Sequence, residues 1–187
     1  QMVLCSAYVK WYRSAEYYSG SAWKGTQALD GGGALMNQGI HAVDLLGWFG
    51  GKVEVTKSIK TKLVHRAIEV EDTIVACLKF ENGALGVIEA STALWQGEPK
   101  RIEIRGEKGS VTLEDDRILK WLFADFRPGA AEVLTKFGST TDLRSGASDP
   151  KAIGVEGPQR HIKNFIQVLR GDAESAVSAL EASRSVG

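Results

Sequence analysis

The stretch TIVACLKF-ENG-ALGVIEASTAL, residues 73–94, decides the fold. Ile74, Ala76, Leu78 and Phe80 fall on one parity of its first half, the period-two pattern of a strand with one face in a core. Glu81-Asn82-Gly83 then marks a hairpin turn, because Asn and Gly tolerate the positive φ such turns require. Ala84 to Leu94 reads as the returning strand, antiparallel by necessity since a short turn permits nothing else. Downstream, Arg101 to Arg105 alternates charge with isoleucine, Glu107-Lys108-Gly109 turns, and Val111 to Leu113 continues. Asp115-Asp116 turns again into Ile118 to Phe123. Upstream, Val53, Val55, Ile59 and Leu63 share one parity, which predicts a half-buried strand, and Leu4 to Arg13 (LCSAYVKWYR) predicts another.

The remaining elements are helical. Ala34 to Phe49 (ALMNQGIHAVDLLGWF) predicts one helix with Met36, Ile40, Val43 and Leu46 or Gly47 as its apolar stripe, ended by Gly50-Gly51. Ser14 to Asp30 shows no clear period and reads as a long loop with at most a helical turn. Ala124 to Pro158 holds three of the four prolines and reads as an irregular excursion. Gln159 to Arg170 (QRHIKNFIQVLR) predicts a helix with Ile162, Phe165, Ile166 and Leu169 inward, and Ser178 to Val186 looks helical but stops abruptly. The fold class is therefore α+β: an open, predominantly antiparallel sheet of at least six strands with helices packed on one face. The strands between residues 73 and 123 carry apolar groups on both parities, whereas the helices cover one face. The second face points to a partner, an equivalent sheet in a homo-oligomer.

Composition narrows the function. Lys plus Arg and Asp plus Glu are 23 each, so there is no basic excess to recruit nucleic acid or an anionic membrane. No apolar run approaches the roughly 20 residues of a membrane span. Cys5 and Cys77 lie in strand-like segments without metal-binding spacing, and both read as buried small hydrophobes in a reducing, cytoplasmic setting. The chain begins with Gln1 and runs directly into strand pattern, as a segment of something longer would. No HExxH, Cys/His cluster or GxSxG occurs, so neither a metal site nor a serine nucleophile is expected.

Asn37, His41 and Asp44 stand at i, i+4 and i+7, so an unbroken helix projects all three from one face over two turns. Imidazole titrates near neutral pH and can exchange a proton with a reacting hydroxyl, while a neighbouring carboxylate or amide fixes its tautomer or holds substrate. The plain alternatives are a structural histidine and an ion pair of Asp44 with a sheet Arg or Lys. Gly31-Gly32-Gly33 either lets an anion approach the helix N-terminus or simply makes a tight connection. It is not a GxGxxG fingerprint, so no cofactor-binding residue is expected in this chain. Arg13, Trp23 and Lys24, among Trp11, Tyr12, Tyr17 and Tyr18, can stack on and bind a sugar ring, although core packing accounts for most of these aromatics too and is the preferred reading of Trp11.

The run Trp23-Lys24-Gly25-Thr26, the segment Asp30 to Trp48 (DGGGALMNQGIHAVDLLGW), and the strand motifs VEDTIVA at 70–76 and NGALG at 82–86 resemble the C-terminal domain of the Gfo/Idh/MocA oxidoreductases. The likeness runs from about Leu4 to Val186, where EASRSV resembles the start of that domain's last helix. The resemblance implies that residues 1–187 form a substrate-binding, catalytic domain whose partner is a Rossmann domain lying upstream and absent from this sequence. It also implies NAD or NADP as cofactor, held mainly by that other domain, and a sugar, cyclic polyol or sugar derivative as substrate. His41 then matches the catalytic histidine, paired with a lysine of the other domain, and Asp44 supports it. Asn37 stands where many members carry Asp. An amide is no base at neutral pH, so it binds or orients substrate. A fragment of this kind would be inactive alone. The competing expectations are a non-catalytic nucleotide-sensing or dimerisation domain and a sugar-binding module.

Overall fold

The computed structural model describes residues 1–125, 127–138 and 155–186. Seven strands form one sheet: β1 (Met2–Lys10), β2 (Val53–Thr61), β3 (Thr73–Phe80), β4 (Leu85–Ser91), β5 (Arg101–Gly106), β6 (Gly109–Glu114) and β7 (Arg117–Phe123). Their order is β2-β3-β4-β1-β5-β6-β7. Every pairing is antiparallel except β1 with β4, because the first strand inserts between β4 and β5. The helices are α1 (Ala15–Ser19), α2 (Ala34–Asn37), α3 (Ile40–Gly50), α4 (Ala130–Phe137), α5 (Glu156–Arg170) and α6 (Ala179–Ser183). The α+β class and the mostly antiparallel open sheet follow the sequence reading.

The core lies between one sheet face and the helix pair α2–α3. Cys5, Ala7 and Val9 of β1, Ile74, Ala76, Leu78 and Phe80 of β3, Ile88 and Ala90 of β4 and Ile102 of β5 meet Ala34, Ala42 and Leu46 there. Small residues on β1 let α3 settle close to the centre of the sheet. The hairpin between β3 and β4 forms as expected, with Gly83 at φ +85° and its N–H donated to Phe80 O.

Five expectations are corrected. The segment 34–49 is not one helix: the N–H of Gly39 reaches back five residues to Ala34 O at 2.9 Å. That widened turn separates α2 from α3. The inward line of α3 is accordingly Ala42, Leu46 and Gly50, with Val43 only partly buried and Met36 of α2 exposed. The strand at Val53–Thr61 is not half-buried. Its register shifts between Val55 and Lys57, which carries Val53 and Val55 to the helix side and Ile59 to the opposite side beside Val75. As an edge strand it leaves Val55, Ile59 and the following Leu63 in solvent. Cys77 is exposed rather than buried, for it sits on the uncovered face of β3, whereas Cys5 is buried. On α5 the residues expected inward are exposed, Phe165 at 63% and Leu169 at 71%, because no described element packs against that side. The excursion from Ala124 is not wholly irregular: α4 forms within it and packs on β7. Residues 139–154 of the excursion lie outside the described residues.

Candidate functional site

The polar residues gather where β1 and β4 end and β3 begins, around a segment that threads from Arg13 through α1 to α3. Its foundation is the loop before β3. Asp72 is fully buried, and one oxygen accepts the backbone N–H groups of Val64 (2.8 Å) and His65 (2.9 Å), folding residues 63–65 back on themselves. Burial pushes the Asp72 carboxyl upward, but the two N–H donors outweigh it and hold it below the usual carboxylate range. His65, also buried, lies 3.2 Å through Nε2 from Thr92 O, and the Tyr18 hydroxyl donates to Thr92 Oγ1 at 2.8 Å. Tyr18 packs its ring 4.9 Å from the His65 ring, and burial raises its phenol above the ordinary range. These contacts pin α1 to the end of β4.

On this base stands an aromatic and cationic wall. Ser14 caps α1, accepting the N–H of Tyr17. Arg13 is only 4% exposed, with its guanidinium 5.0 Å from the Trp11 ring and 5.4 Å from the Tyr17 ring. Lys24 holds its ammonium 3.9 Å from the Tyr17 centroid and 5.7 Å from that of Trp23, itself 45% exposed. Trp95, from the segment after β4, stands edge-on to Tyr12 and is 76% exposed. Stacked cations of this kind keep their charge and a defined position, which suits recognition of a polar ring or an anionic substituent.

The glycine run is a close approach, not an anion cradle. A Cβ on Gly33 would lie 2.0 Å from Glu71 O. Ala34 N donates to that same oxygen at 3.0 Å, and the Glu71 carboxylate accepts from Leu35 N at 3.4 Å. The start of α2 is therefore filled by this chain's own Glu71, which fits the tight connection and not the alternative of a helix N-terminus open to an anion. Glu69 acts likewise one turn earlier, taking the N–H of Gln27 at 2.7 Å while its own N–H donates to Gly25 O. With Ala34 N–H and Leu35 N–H both taken by Glu71, this connection lacks the free N–H groups of a pyrophosphate-binding glycine turn.

Asp30 ties the wall to the helices. One of its oxygens accepts Gly25 N at 2.8 Å and the other accepts the Asn37 side-chain N–H. Gln38, buried, donates from Nε2 to Asn37 Oδ1 at 3.0 Å. His41 and Asp44 are exposed on the outer side of α3, with Trp48 further along the same side at 76% exposure. The Asp44 carboxylate accepts a 2.6 Å bond from Ser185 Oγ beyond α6, so its partner is neither His41 nor a sheet cation. Of the residues singled out from sequence, Arg13, Trp23 and Lys24 share one wall. Asn37 joins that wall through Asp30, and His41 and Asp44 share the next helix. Asp30, Glu69, Glu71 and Asp72 were missed, although the VED tripeptide before β3 contains two of them.

An open mixed sheet, helices on one face and a polar, aromatic ledge at the ends of β1 and β4 make up an α+β domain. The chain belongs to the Gfo/Idh/MocA oxidoreductase family: residues 1–112 match its profile described as "GFO/IDH/MocA C-terminal domain". Myo-inositol 2-dehydrogenase of Thermotoga maritima is 34% identical over 175 residues, covering 83% of this chain and 49% of that protein. The WlbA dehydrogenase of Bordetella pertussis, solved with NADH and UDP-GlcNAcA, superposes with a TM-score of 0.83 at 33% identity over 100% of this chain and 51% of that one. Levoglucosan dehydrogenase, solved with NADH and levoglucosan, shares the fold with a TM-score of 0.68 at 18% identity. The chain thus spans about half the length of these relatives.

Proposed function

We propose that this chain is the substrate side of an NAD- or NADP-dependent dehydrogenase that oxidises a secondary alcohol of a sugar, cyclic polyol or nucleotide-linked sugar. The dinucleotide binds mainly to a separate Rossmann domain, a reading supported by a glycine run that is closed by Glu71 and is no GxGxxG turn. When bound, the nicotinamide supplies the hydride acceptor. This chain's part is the proton and the geometry. His41 takes the hydroxyl proton as the carbonyl forms and returns it in the reverse direction, with a lysine of the other domain sharing that work. Asn37 orients the reacting hydroxyl, Trp23 and Lys24 bear on the ring and its substituents, Arg13 stiffens their wall from behind, and Asp44 steadies the helix that carries His41.

The observation that carries this reading is the exposed imidazole of His41 in the first turn of α3, just past the widened turn that follows Asn37, whose amide is oriented by the Asp30 carboxylate. The relatives' chemistry supports it: one is an inositol dehydrogenase, another was solved with NADH and a UDP-sugar. The test is reduction of NAD+ or NADP+ by the full-length protein with UDP-GlcNAcA or myo-inositol. His41→Ala is expected to lower kcat by about 100-fold or more, the usual worth of a positioned acid–base group. Turnover at the wild-type level refutes the assignment.

The uncovered sheet face supports a second part of the proposal. Leu4, Ile59, Val75, Leu85 and Leu122 are exposed there, beside an ion-pair row in which Arg105 meets Glu103 at 3.0 Å. A second copy of this chain is the proposed cover.

A further inference from the structure

We infer that Asp30 is a positioning residue that dictates which way the Asn37 amide faces, and that the Asp30–Asn37 pair must carry one negative charge, not two. The inference rests on the reading of Asn37 as the group that orients the substrate hydroxyl. A carboxylate can only accept hydrogen bonds. Asp30 spends one oxygen on Gly25 N–H, at 2.8 Å, so the Asn37 atom against its other oxygen must be the donor Nδ2. The amide oxygen is thereby turned toward Gln38, which donates to it at 3.0 Å. What Asn37 can still offer a substrate is its second N–H and one lone pair on Oδ1, in a fixed arrangement. The same carboxylate, together with Glu69, holds the turn that bears Trp23 and Lys24, because it accepts Gly25 N–H. Asp30 thus links the hydroxyl-orienting amide to the ring-binding wall.

The bonds also explain why an amide stands at position 37 beside this aspartate. In Asn37→Asp two carboxylates would face each other at hydrogen-bond distance, and one would be driven to keep a proton well above the usual carboxylate range. In Asp30→Asn the new amide must keep its oxygen on Gly25 N–H and turn its nitrogen to residue 37. Asn37 then has to flip, which presents the wrong atom to substrate. The exchanged pair, Asp30→Asn with Asn37→Asp, satisfies every bond again: the amide oxygen accepts from Gly25, its nitrogen donates to the carboxylate, and Gln38 donates to that carboxylate too.

The experiment is a double-mutant cycle in the full-length protein, read by thermal melting without ligand and by kcat/KM with UDP-GlcNAcA or myo-inositol. Asn37→Asp is expected to melt several degrees lower at about pH 8 than at about pH 5.5, relative to wild type, because the raised carboxyl holds its proton in the folded state and loses it as pH rises. The exchanged pair is expected to melt like wild type with that extra pH dependence gone. Each single variant should lose about tenfold or more in kcat/KM, and the exchanged pair should lose clearly less than the two single losses combined, although residue 37 then offers the substrate no N–H. Additive losses, or the same pH dependence in Asn37→Asp with and without Asp30→Asn, overturn the lock. A wild type that turns over neither probe sinks the proposed reaction instead, and the melting series then decides the lock by itself.

Discussion

Asp72 shows how much of this site rests on a residue that touches no substrate. Its oxygen collects the part-buried N–H of Val64 and the buried N–H of His65, which would lose their acceptor without it. Asp72→Ala should therefore destabilise the full-length protein by about 2–4 kcal/mol in urea unfolding, the cost of orphaning buried donors of a charged bond. The sign of its pH dependence follows from the depressed carboxyl. Its contribution is present above the unfolded carboxylate pKa of about 3.9 and is lost as pH falls through the lower folded value. Asp72→Asn keeps one acceptor, so it should cost less and flatten the acid limb of the stability profile. An unchanged acid limb in that variant shows that other carboxylates control it. Individual polar residues were only partly legible. The spacing of Asn37, His41 and Asp44 singled them out on the expectation of one helix, which the widened turn at Gly39 breaks, while Glu69 joins Gln27 across 42 positions and Glu71 joins Leu35 across 36, separations that no local pattern reports.

Elements were legible where a turn residue or a strict period enforced them. Asn82-Gly83 placed the β3–β4 hairpin, and Ile74 to Phe80 set its buried face, because both signals are local. The irregularities were not legible. Nothing between Val55 and Lys57 marks the register shift, since no glycine or proline is needed there, yet it sends Ile59 to the opposite face. Amphipathic spacing on α5 states that the helix has an apolar side and says nothing of what lies against it. The join of the Gly31–Gly33 run to α2 makes the element-scale prediction. Substituting Gly33 places a methyl 2.0 Å from the Glu71 carbonyl, a backbone atom that also accepts Ala34 N–H. Gly33→Ala should cost about 2–3 kcal/mol, at the upper end of overpacking, and move α2 away from β3. Gly31→Ala meets no neighbour within 4 Å, so only its φ of +76° opposes it, at about 1 kcal/mol. Equal melting losses for the two variants would mean that backbone conformation, not the Glu71 contact, makes the glycine run necessary.

At the scale of the molecule, the sheet has one face committed to helices and one face that stands open among the described residues. The uncovered face is neither purely apolar nor purely charged. Leu85 at 55% exposure and Leu4 at 45% are in register on β4 and β1, and Arg105 follows beside Leu4 on β5. An apolar centre with an adjoining ion-pair row suits a second copy turned about a two-fold axis, where each row meets the other's. The full-length protein should sediment as a dimer or larger at micromolar concentration, and Leu85→Arg, which sets a charge in the apolar centre next to Arg105, should shift it toward monomer. Cys77 supplies an independent readout, since it is exposed on this face in the single chain. Cys5 is a silent control, for its thiol is buried and pushed up to about 11. Cys77 should react slowly with a thiol reagent in the wild-type assembly and faster in Leu85→Arg. Equal labelling in both, together with a wild-type monomer in sedimentation, would leave the sheet face solvent-exposed and remove the case for self-association through it.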